Sequence, residues 1–241
     1  MLYNNQKCMH SADIDVVFSS QDIVILNKPS GLLMHATQRQ EKDTVADWVA
    51  KHYPECVRIG DAGRGGIVHR LDRETSGLVV IARTQEAYNV LKELFATRTI
   101  QKGYYALVWG IPQGDKGVIE KSITAHQGKR RTVEPWSQKE PNTVRDAKTE
   151  WRRIMSLGTH YTLLDVAPKT GRMHQIRVHL ASIGHPVVCD ALYAKKKVCP
   201  KELGRLFLHA YRLCIPYRKN TIDIAIPLAD DLHRFVESFS P

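Results

Sequence analysis

Long apolar runs are missing from this sequence, and their absence excludes membrane proteins built on apolar helices. Nowhere in the 241 residues does an apolar stretch reach the length that a membrane-spanning helix needs. Residues 1–15 also lack the apolar core of a secretion signal. We therefore expect a cytoplasmic protein that has no membrane partner.

The cysteines show no metal-binding or redox pattern. They are odd in number and widely scattered, at Cys8, Cys56, Cys189, Cys199 and Cys214. No two of them have the C-x-x-C spacing of a zinc knuckle or a redox dithiol. We expect most of them to be reduced thiols, as in a cytosolic protein.

Positive charge is the strongest compositional signal. Lys and Arg outnumber Asp and Glu by 35 to 25, which gives a formal net charge of +10. Such a basic domain indicates a polyanionic partner, most commonly nucleic acid, although a ribosomal or membrane surface would also fit. The polar stretch 114–148, with Lys129, Arg130 and Arg131, is a candidate RNA- or DNA-facing surface. A solvent-exposed loop that binds no nucleic acid would explain the charge of this stretch equally well.

Hydrophobic periodicity predicts an α+β fold. Buried strands are expected at residues 16–18 and 23–26, and a central strand with two apolar faces at residues 104–109. Further strands are expected at residues 149–155, 161–167, 206–215 and 221–226. Helices are expected at residues 44–52 and 173–183, at residues 85–96 with Thr84 as the cap, and from a cap at Asp230 or Asp231 to residue 239. Because no regular βαβ rhythm links them, we predict a largely antiparallel mixed central sheet flanked by helices, with an active-site cleft. No repeat or low-complexity linker divides the chain, so we predict one domain over residues 1–241, with residues 1–20 as an N-terminal extension.

The most informative stretch is residues 66–77, GIVHRLDRETSG. Asp72 lies between Arg70 and Arg73, and an apolar run follows at residues 78–82. Flanking cations favour the ionised carboxylate. Such a group serves as a nucleophile or a base if the fold holds it still. A charged loop that caps a strand is the alternative interpretation.

A second charged cluster occupies residues 169–180, KTGRMHQIRVHL. On a helix, His174 and Arg177 share one face, and Arg172, Gln175 and His179 lie on another. One polar face could reach an active-site acid and the other a phosphate backbone. An ordinary amphipathic helix with a basic outer face would show the same pattern.

A series of ordered motifs resembles those of the RluA-type pseudouridine synthases. Residues 66–77 resemble the family's signature, 27–32 its N-terminal motif, 102–110 its aromatic strand and 170–177 its late arginine motif. Residues 184–187 with Asp190, and then 208–210, follow in the expected order. The resemblance covers residues 23–227. It departs from many relatives at Met173, where they have Thr, and at Cys189, where they have Gly.

The resemblance implies an enzyme that isomerises uridine to pseudouridine in ribosomal RNA, transfer RNA or both, without cofactor or metal. We expect it to act as a monomer. It assigns Asp72 as the catalytic aspartate, Tyr104 as the ring that packs on the target base, and Arg177 as the partner of the aspartate. It assigns Arg70 to holding the RNA and the flipped nucleotide. The remaining residues expected to bind RNA or substrate, or to shape the loop around it, are His69, Arg172, His174, Gln175 and Lys28.

The resemblance also raises the question of a further domain. Many relatives carry a small RNA-binding domain ahead of the catalytic one. The stretch before residue 23 is too short to fold such a domain alone. The sequence therefore predicts a catalytic domain without it, either because the protein never had one or because it has been trimmed.

Two further hypotheses come from other functional classes. The first is an RNA-binding or ribosome-assembly factor that uses a catalytically idle copy of the same fold. The second is a metal-dependent phosphodiesterase with ligands drawn from His69, Asp72, His174, His179 and Asp190. No H-E-x-x-H or similar spacing supports the second.

Overall fold

The computed structural model describes residues 14–36, 42–61, 64–126, 129–133 and 144–239. The chain divides into two compact units, Met1–Thr97 and Arg98–Pro241. The expectation of a single domain over the whole chain stays a prediction. No helix in the described ranges is long and apolar enough to cross a membrane.

The first unit contains an antiparallel three-stranded sheet, in the order β1-β2-β3. Its strands are β1 (Asp15–Ser19), β2 (Ile23–Lys28) and β3 (Ser76–Ala82). Every residue of β3 is buried, as its apolar sequence SGLVVIA requires. Strand β1 was expected to be buried, but it is half-buried to exposed because it lies at the edge and pairs with β2 alone in this unit.

The described residues of the first unit also form two α-helices and a short 3-10 helix at Pro54–Arg58. They are α1 (Val45–His52) and α2 (Gln85–Ala96). The backbone N–H of Ala87 donates to Thr84 Oγ1 at 3.1 Å, so the predicted cap of α2 is confirmed. In α1, Thr44 and Asp47 form a reciprocal capping box.

The second unit is built on an antiparallel sheet in the order β11-β10-β4-β9-β8-β5. The strands are β4 (Gln101–Trp109), β5 (Lys116–Glu120), β8 (Lys148–Leu157), β9 (Tyr161–Pro168), β10 (Leu208–Tyr217) and β11 (Asn220–Ala225). A separate hairpin is formed by β6 (Ser122–His126) and β7 (Lys129–Val133). Strand β4 pairs with β10 on one side and with β9 on the other, so it lies inside the sheet, as predicted.

Two helices belong to the second unit, α3 (Gln175–Ser182) and α4 (Asp230–Glu237). One core cluster packs α4 against residues of the sheet and of the loop before β10, through Leu107, Leu157, Leu163, Val188, Leu203, Phe207, Leu232 and Phe235. Burying each large apolar side chain of this cluster stabilises the unit by roughly 1.5–3 kcal/mol. The predicted Asp cap of α4 is wrong, because Ala229 is the N-cap and makes no side-chain hydrogen bond.

Candidate functional site

Asp72 lies at the start of a tight turn that leads into β3. The Thr75 backbone N–H donates to the Asp72 carbonyl oxygen at 3.2 Å. Leu71 and Thr75 are buried on either side, whereas Asp72 itself is only half-buried. The buried residues on either side therefore anchor the backbone of this turn in the core of the first unit.

The Lys28 side chain binds the backbone of this turn and of the segment that follows β2. Its side chain is fully buried, and Nζ donates to the carbonyl oxygens of Pro29 at 2.8 Å, Leu32 at 2.9 Å and Arg73 at 3.0 Å. An ammonium group that is buried this deeply needs such partners to offset its lost hydration. These contacts give Lys28 a structural part in the Asp72 turn, and its predicted contact with RNA stays a prediction.

Ser30 and Gly31 also form hydrogen bonds with the same turn. Ser30 Oγ donates to the Glu74 carbonyl oxygen at 2.6 Å, and Gly31 N donates to the Arg73 carbonyl oxygen at 2.8 Å. Arg73 Nε donates in return to the Gly31 carbonyl oxygen at 3.0 Å. Two motifs more than 40 residues apart in the sequence thus form one rigid support for Asp72.

His69 fixes the segment on the other side of Asp72. Its Nε2 accepts a hydrogen bond from the Val80 backbone N–H at 2.9 Å, so the neutral ring carries its proton on Nδ1. The ring also stacks on Phe95, with centroids 4.6 Å apart. By contrast, the Arg70 side chain is exposed. Burial, followed by the charges of Arg64 and Arg70, lowers the pKa of His35.

Tyr104 lies at the centre of the sheet of the second unit. It pairs with Val166 of β9 and Ala210 of β10, and its side chain is nearly buried. Lys102 lies two residues earlier on the same face of β4. Lys102 Nζ donates to the Thr170 carbonyl oxygen at 3.3 Å, and burial lowers its pKa to about 8. This lysine belongs to the motif at residues 102–110, and no role was predicted for it.

The buried Lys102 predicts how stability depends on pH. Because its pKa in the folded state is about 8, the unfolded chain holds the lysine proton up to higher pH. Folding is therefore favoured as pH rises through this range. The unfolding free energy of the wild type, minus that of Lys102→Met, should increase by about 1 kcal/mol from about pH 7 to about pH 9. Urea titrations at each pH measure this difference.

The matched control is Lys116→Met, which removes an exposed lysine from β5 in the same unit. Its difference from the wild type should stay constant over the same pH range. A constant difference for Lys102→Met as well would contradict the proposed deprotonation of the buried ammonium.

Arg177 of α3 forms a buried two-point ion pair with Asp190. Its Nε donates to Asp190 Oδ2 at 2.8 Å and its Nη2 to Asp190 Oδ1 at 3.0 Å. The exposed fractions of the two side chains are 6% and 0%. Asp190 Oδ1 also accepts the backbone N–H groups of Leu192 at 2.9 Å and Tyr193 at 3.1 Å. The contact of Arg177 with Asp190 is thus the observed one, and the pairing of Arg177 with Asp72 stays a prediction.

Tyr193 is a residue of this site that the sequence analysis missed. The Arg177 guanidinium carbon lies 5.4 Å from the centre of its ring, within the range of a cation–π contact. Its hydroxyl lies 3.1 Å from His174 Nδ1 and accepts the Arg130 backbone N–H at 3.3 Å. The D-x-x-Y spacing from Asp190 could have indicated it, because both residues lie on one turn.

Gln175 lies in a buried polar network rather than on a surface. Its Oε1 accepts from Thr170 Oγ1 at 2.6 Å and from the Arg172 backbone N–H at 3.0 Å. Its Nε2 donates to Thr149 Oγ1 at 3.0 Å. This network fixes the approach to α3, while the Arg172 side chain is half-exposed and donates from Nε to the Asp146 carbonyl oxygen at 3.1 Å. The predicted RNA contacts of Gln175 and Arg172 stay predictions.

His179 is buried and uses both ring nitrogens within the protein. They lie 2.9 Å from Thr149 Oγ1 and 2.9 Å from the Lys121 carbonyl oxygen, and burial lowers the pKa of the ring. Asp190 is likewise committed to Arg177. Within the described ranges, no three His, Cys, Asp or Glu side chains come together to hold a metal ion. The geometry thus gives no support to the phosphodiesterase hypothesis.

Two cysteines depart from the expectation of reduced thiols. Cys189 and Cys199 form a disulfide, with their Cα atoms 4.6 Å apart, whereas Cys56 and Cys214 remain thiols. Burial raises the pKa of Cys56 to about 11. Cys8 lies outside the described residues.

Comparisons with known proteins identify the family. The sequence profile of the RNA pseudouridylate synthases matches residues 22–182. An uncharacterized RNA pseudouridine synthase of Synechocystis is 33% identical over 202 residues, which are 84% of this chain and 61% of that protein. The ribosomal large subunit pseudouridine synthase D of Nitrosomonas europaea is 33% identical over 233 residues, covering 93% of this chain and 65% of its own. The chain belongs to the RNA pseudouridylate synthase family and is of the RluA type.

Solved structures share the fold. Human RNA pseudouridylate synthase domain containing 4 matches with a TM-score of 0.73 and 23% identity, over 93% of this chain and 92% of that chain. Human RNA pseudouridylate synthase domain containing 1 matches with a TM-score of 0.71 and 22% identity, over 96% of each chain. The predicted family and the α+β fold are confirmed. This chain spans only 61% of the Synechocystis relative and 59% of an uncharacterized RNA pseudouridine synthase of Aquifex aeolicus.

Proposed function

We propose that this protein isomerises uridine to pseudouridine in RNA, with Asp72 as the residue that starts the reaction. The observation that carries the proposal is the half-buried Asp72 carboxylate on a turn held by Lys28, Ser30 and Gly31. A nucleophile or base that is fixed in advance loses little entropy when the substrate arrives. In this proposal Asp72 attacks the nucleoside, or otherwise helps to break the bond between its base and ribose.

The isomerisation exchanges one bond for another. The bond from C1′ of the ribose to N1 of uracil breaks, the uracil rotates, and a bond from C1′ to C5 forms. One proton leaves C5 and one is gained at N1, so no atoms are added or lost overall. This balance requires neither cofactor nor metal. Tyr104 is proposed to stack on the base, and Arg177 to stabilise the negative charge of Asp72.

Positive side chains support RNA as the substrate. Arg70 is exposed in the first unit, and Arg131 is exposed on the hairpin β6–β7 in the second. Together with the net charge of +10, they would supply affinity for phosphates that does not depend on sequence. A uridine in folded RNA must be flipped out at a cost of a few kcal/mol, and stacking on an aromatic ring offsets about 1–3 kcal/mol.

The proposed substrate is ribosomal RNA, transfer RNA or both. We propose that the protein acts on it as a monomer in the cytoplasm. Ribosomal RNA is the first pool to test, because the Nitrosomonas europaea relative is named as a large-subunit pseudouridine synthase.

The test is carbodiimide mapping of pseudouridine in ribosomal and transfer RNA from cells that lack the gene. A site that disappears in these cells and returns with the wild-type gene would support the proposal and name the substrate. If no site changes in either pool while the protein still binds RNA, the idle RNA-binding factor becomes the better explanation.

A further inference from the structure

We propose that the Cys189–Cys199 disulfide closes a loop that positions Arg177, so that the redox state of these cysteines sets the catalytic rate. Asp190 and Tyr193, both inside this loop, are positioning residues for the Arg177 guanidinium. This inference rests on the proposed function, because it assumes that Arg177 takes part in the isomerisation.

The loop contacts Arg177 in two ways. Asp190 binds the guanidinium in its plane through two hydrogen bonds, at 2.8 and 3.0 Å. Tyr193 contributes its ring, with the guanidinium carbon 5.4 Å from the ring centre. Two-point binding fixes the direction of a planar guanidinium, whereas a single charge would fix only its distance. Any movement of the loop would therefore change the orientation of Arg177.

The disulfide lies next to these contacts. Cys189 is bonded directly to Asp190 in the chain, and Cys199 closes the loop ten residues later. The loop enters from Val188, whose backbone N–H donates to the Leu107 carbonyl oxygen at 2.8 Å. Toward its end it becomes exposed, with Val198 exposed to 85%. The disulfide thus ties the exposed end of the loop to its anchored end.

The backbone conformation of Cys189 gives a reason to expect that breaking the disulfide changes the loop. Its φ is +61°, in the left-handed region that glycine tolerates and other residues disfavour. Breaking the disulfide removes a covalent restraint on this backbone, and we expect Cys189 then to relax toward a negative φ and to turn the adjoining Asp190 with it. The oxidised state is therefore expected to hold Arg177 correctly, and the reduced state to release it.

The redox step is a thiol–disulfide exchange. A dithiol reductant attacks one sulfur through its thiolate, forms a mixed disulfide, and then closes its own disulfide. Two electrons and two protons pass to Cys189 and Cys199, which become two thiols, while the dithiol is oxidised. Both cysteines are half-buried, so a small dithiol can reach them.

The experiment compares oxidised and reduced full-length protein on the RNA identified by mapping. Disulfide content is verified by alkylation and mass spectrometry. Reduction should lower kcat by about tenfold or more with little change in KM, because a small misplacement of a reacting group costs a large factor in rate. Cys189→Ser and Cys199→Ser should show the low kcat in both redox conditions. Cys214→Ser, a control on β10, should respond to reduction like the wild type.

A rescue variant separates positioning from general stability. Cys189→Gly removes the sulfur but favours the left-handed backbone, so it should restore the high kcat and make it insensitive to reductant. Asp190→Asn should lower kcat in both states, with KM little changed.

The outcomes are distinguishable. Equal kcat in the two verified redox states, or failure of the disulfide to form under oxidation, would overturn this inference and leave the proposed function intact. No turnover in either state, on any cellular RNA, would overturn the proposed function and this inference with it.

Discussion

Replacing Asp72 with Asn should lower the rate of pseudouridine formation by about 10³-fold or more. Asparagine has nearly the same shape as aspartate, but it carries no negative charge and is a poor nucleophile and base. The turn should survive, because Asp72 accepts the Thr75 backbone N–H through its own carbonyl oxygen. Affinity for RNA should change by no more than about twofold, since phosphate contacts dominate binding. Single-turnover assays and filter binding on one RNA measure the two quantities.

The matched control is Asp61→Asn, which removes the same charge from an exposed position in the first unit. It should keep wild-type turnover. Wild-type turnover in Asp72→Asn would refute the assignment of Asp72, provided that mass spectrometry shows no deamidation back to aspartate. Equal losses in the two variants would indicate a general charge effect instead.

Much of the fold could be predicted because local patterns decide it. Helix α2 was predicted with its observed bounds, Gln85–Ala96, since one apolar face and the Thr84 cap agree on the same start. Strand β4 was expected at the centre of a sheet because both faces are apolar, and it pairs with β9 and β10. In these elements the sequence signal and the tertiary contacts point the same way.

The start of α3 shows where local patterns fail. Periodicity placed it at residue 173, but the helix begins at Gln175, because His174 adopts a left-handed backbone with φ of +56°. The His174 ring forms a hydrogen bond with the Tyr193 hydroxyl, and these two residues are 19 apart in sequence. Spacing within a helix carries no information about such a partner.

The sequence indicated candidate residues for the site, but it did not indicate which contacts those residues make. The sequence marked Lys28 and Gln175 as polar residues in motifs, yet both are buried and bind parts of their own units. Charge and motif membership cannot distinguish a lysine that binds phosphate from one that binds three carbonyl groups. The Cys189–Cys199 bond was missed for a similar reason, because pairing depends on the distance between Cα atoms in the fold.

Gly66→Ala is the substitution for which we expect the largest loss of stability. Gly66 has φ of +74°, and a Cβ added there would overlap the Ala82 carbonyl oxygen. That oxygen belongs to β3, which is buried along its whole length and cannot move away cheaply. Gly66 is also bonded to its surroundings, since it accepts the Ala82 backbone N–H at 2.9 Å. The unfolding free energy should fall by about 3 kcal/mol or more.

Gly65→Ala provides a control that separates the clash from the backbone effect. Gly65 also has a positive φ, of +56°, but nothing lies within 4 Å of its added Cβ. Its substitution should cost only the left-handed penalty of about 1–2 kcal/mol. Urea unfolding of both variants measures the difference between them. Equal losses would mean that β3 yields to the new methyl group, and that the segment leading to Asp72 is held less tightly than its contacts indicate.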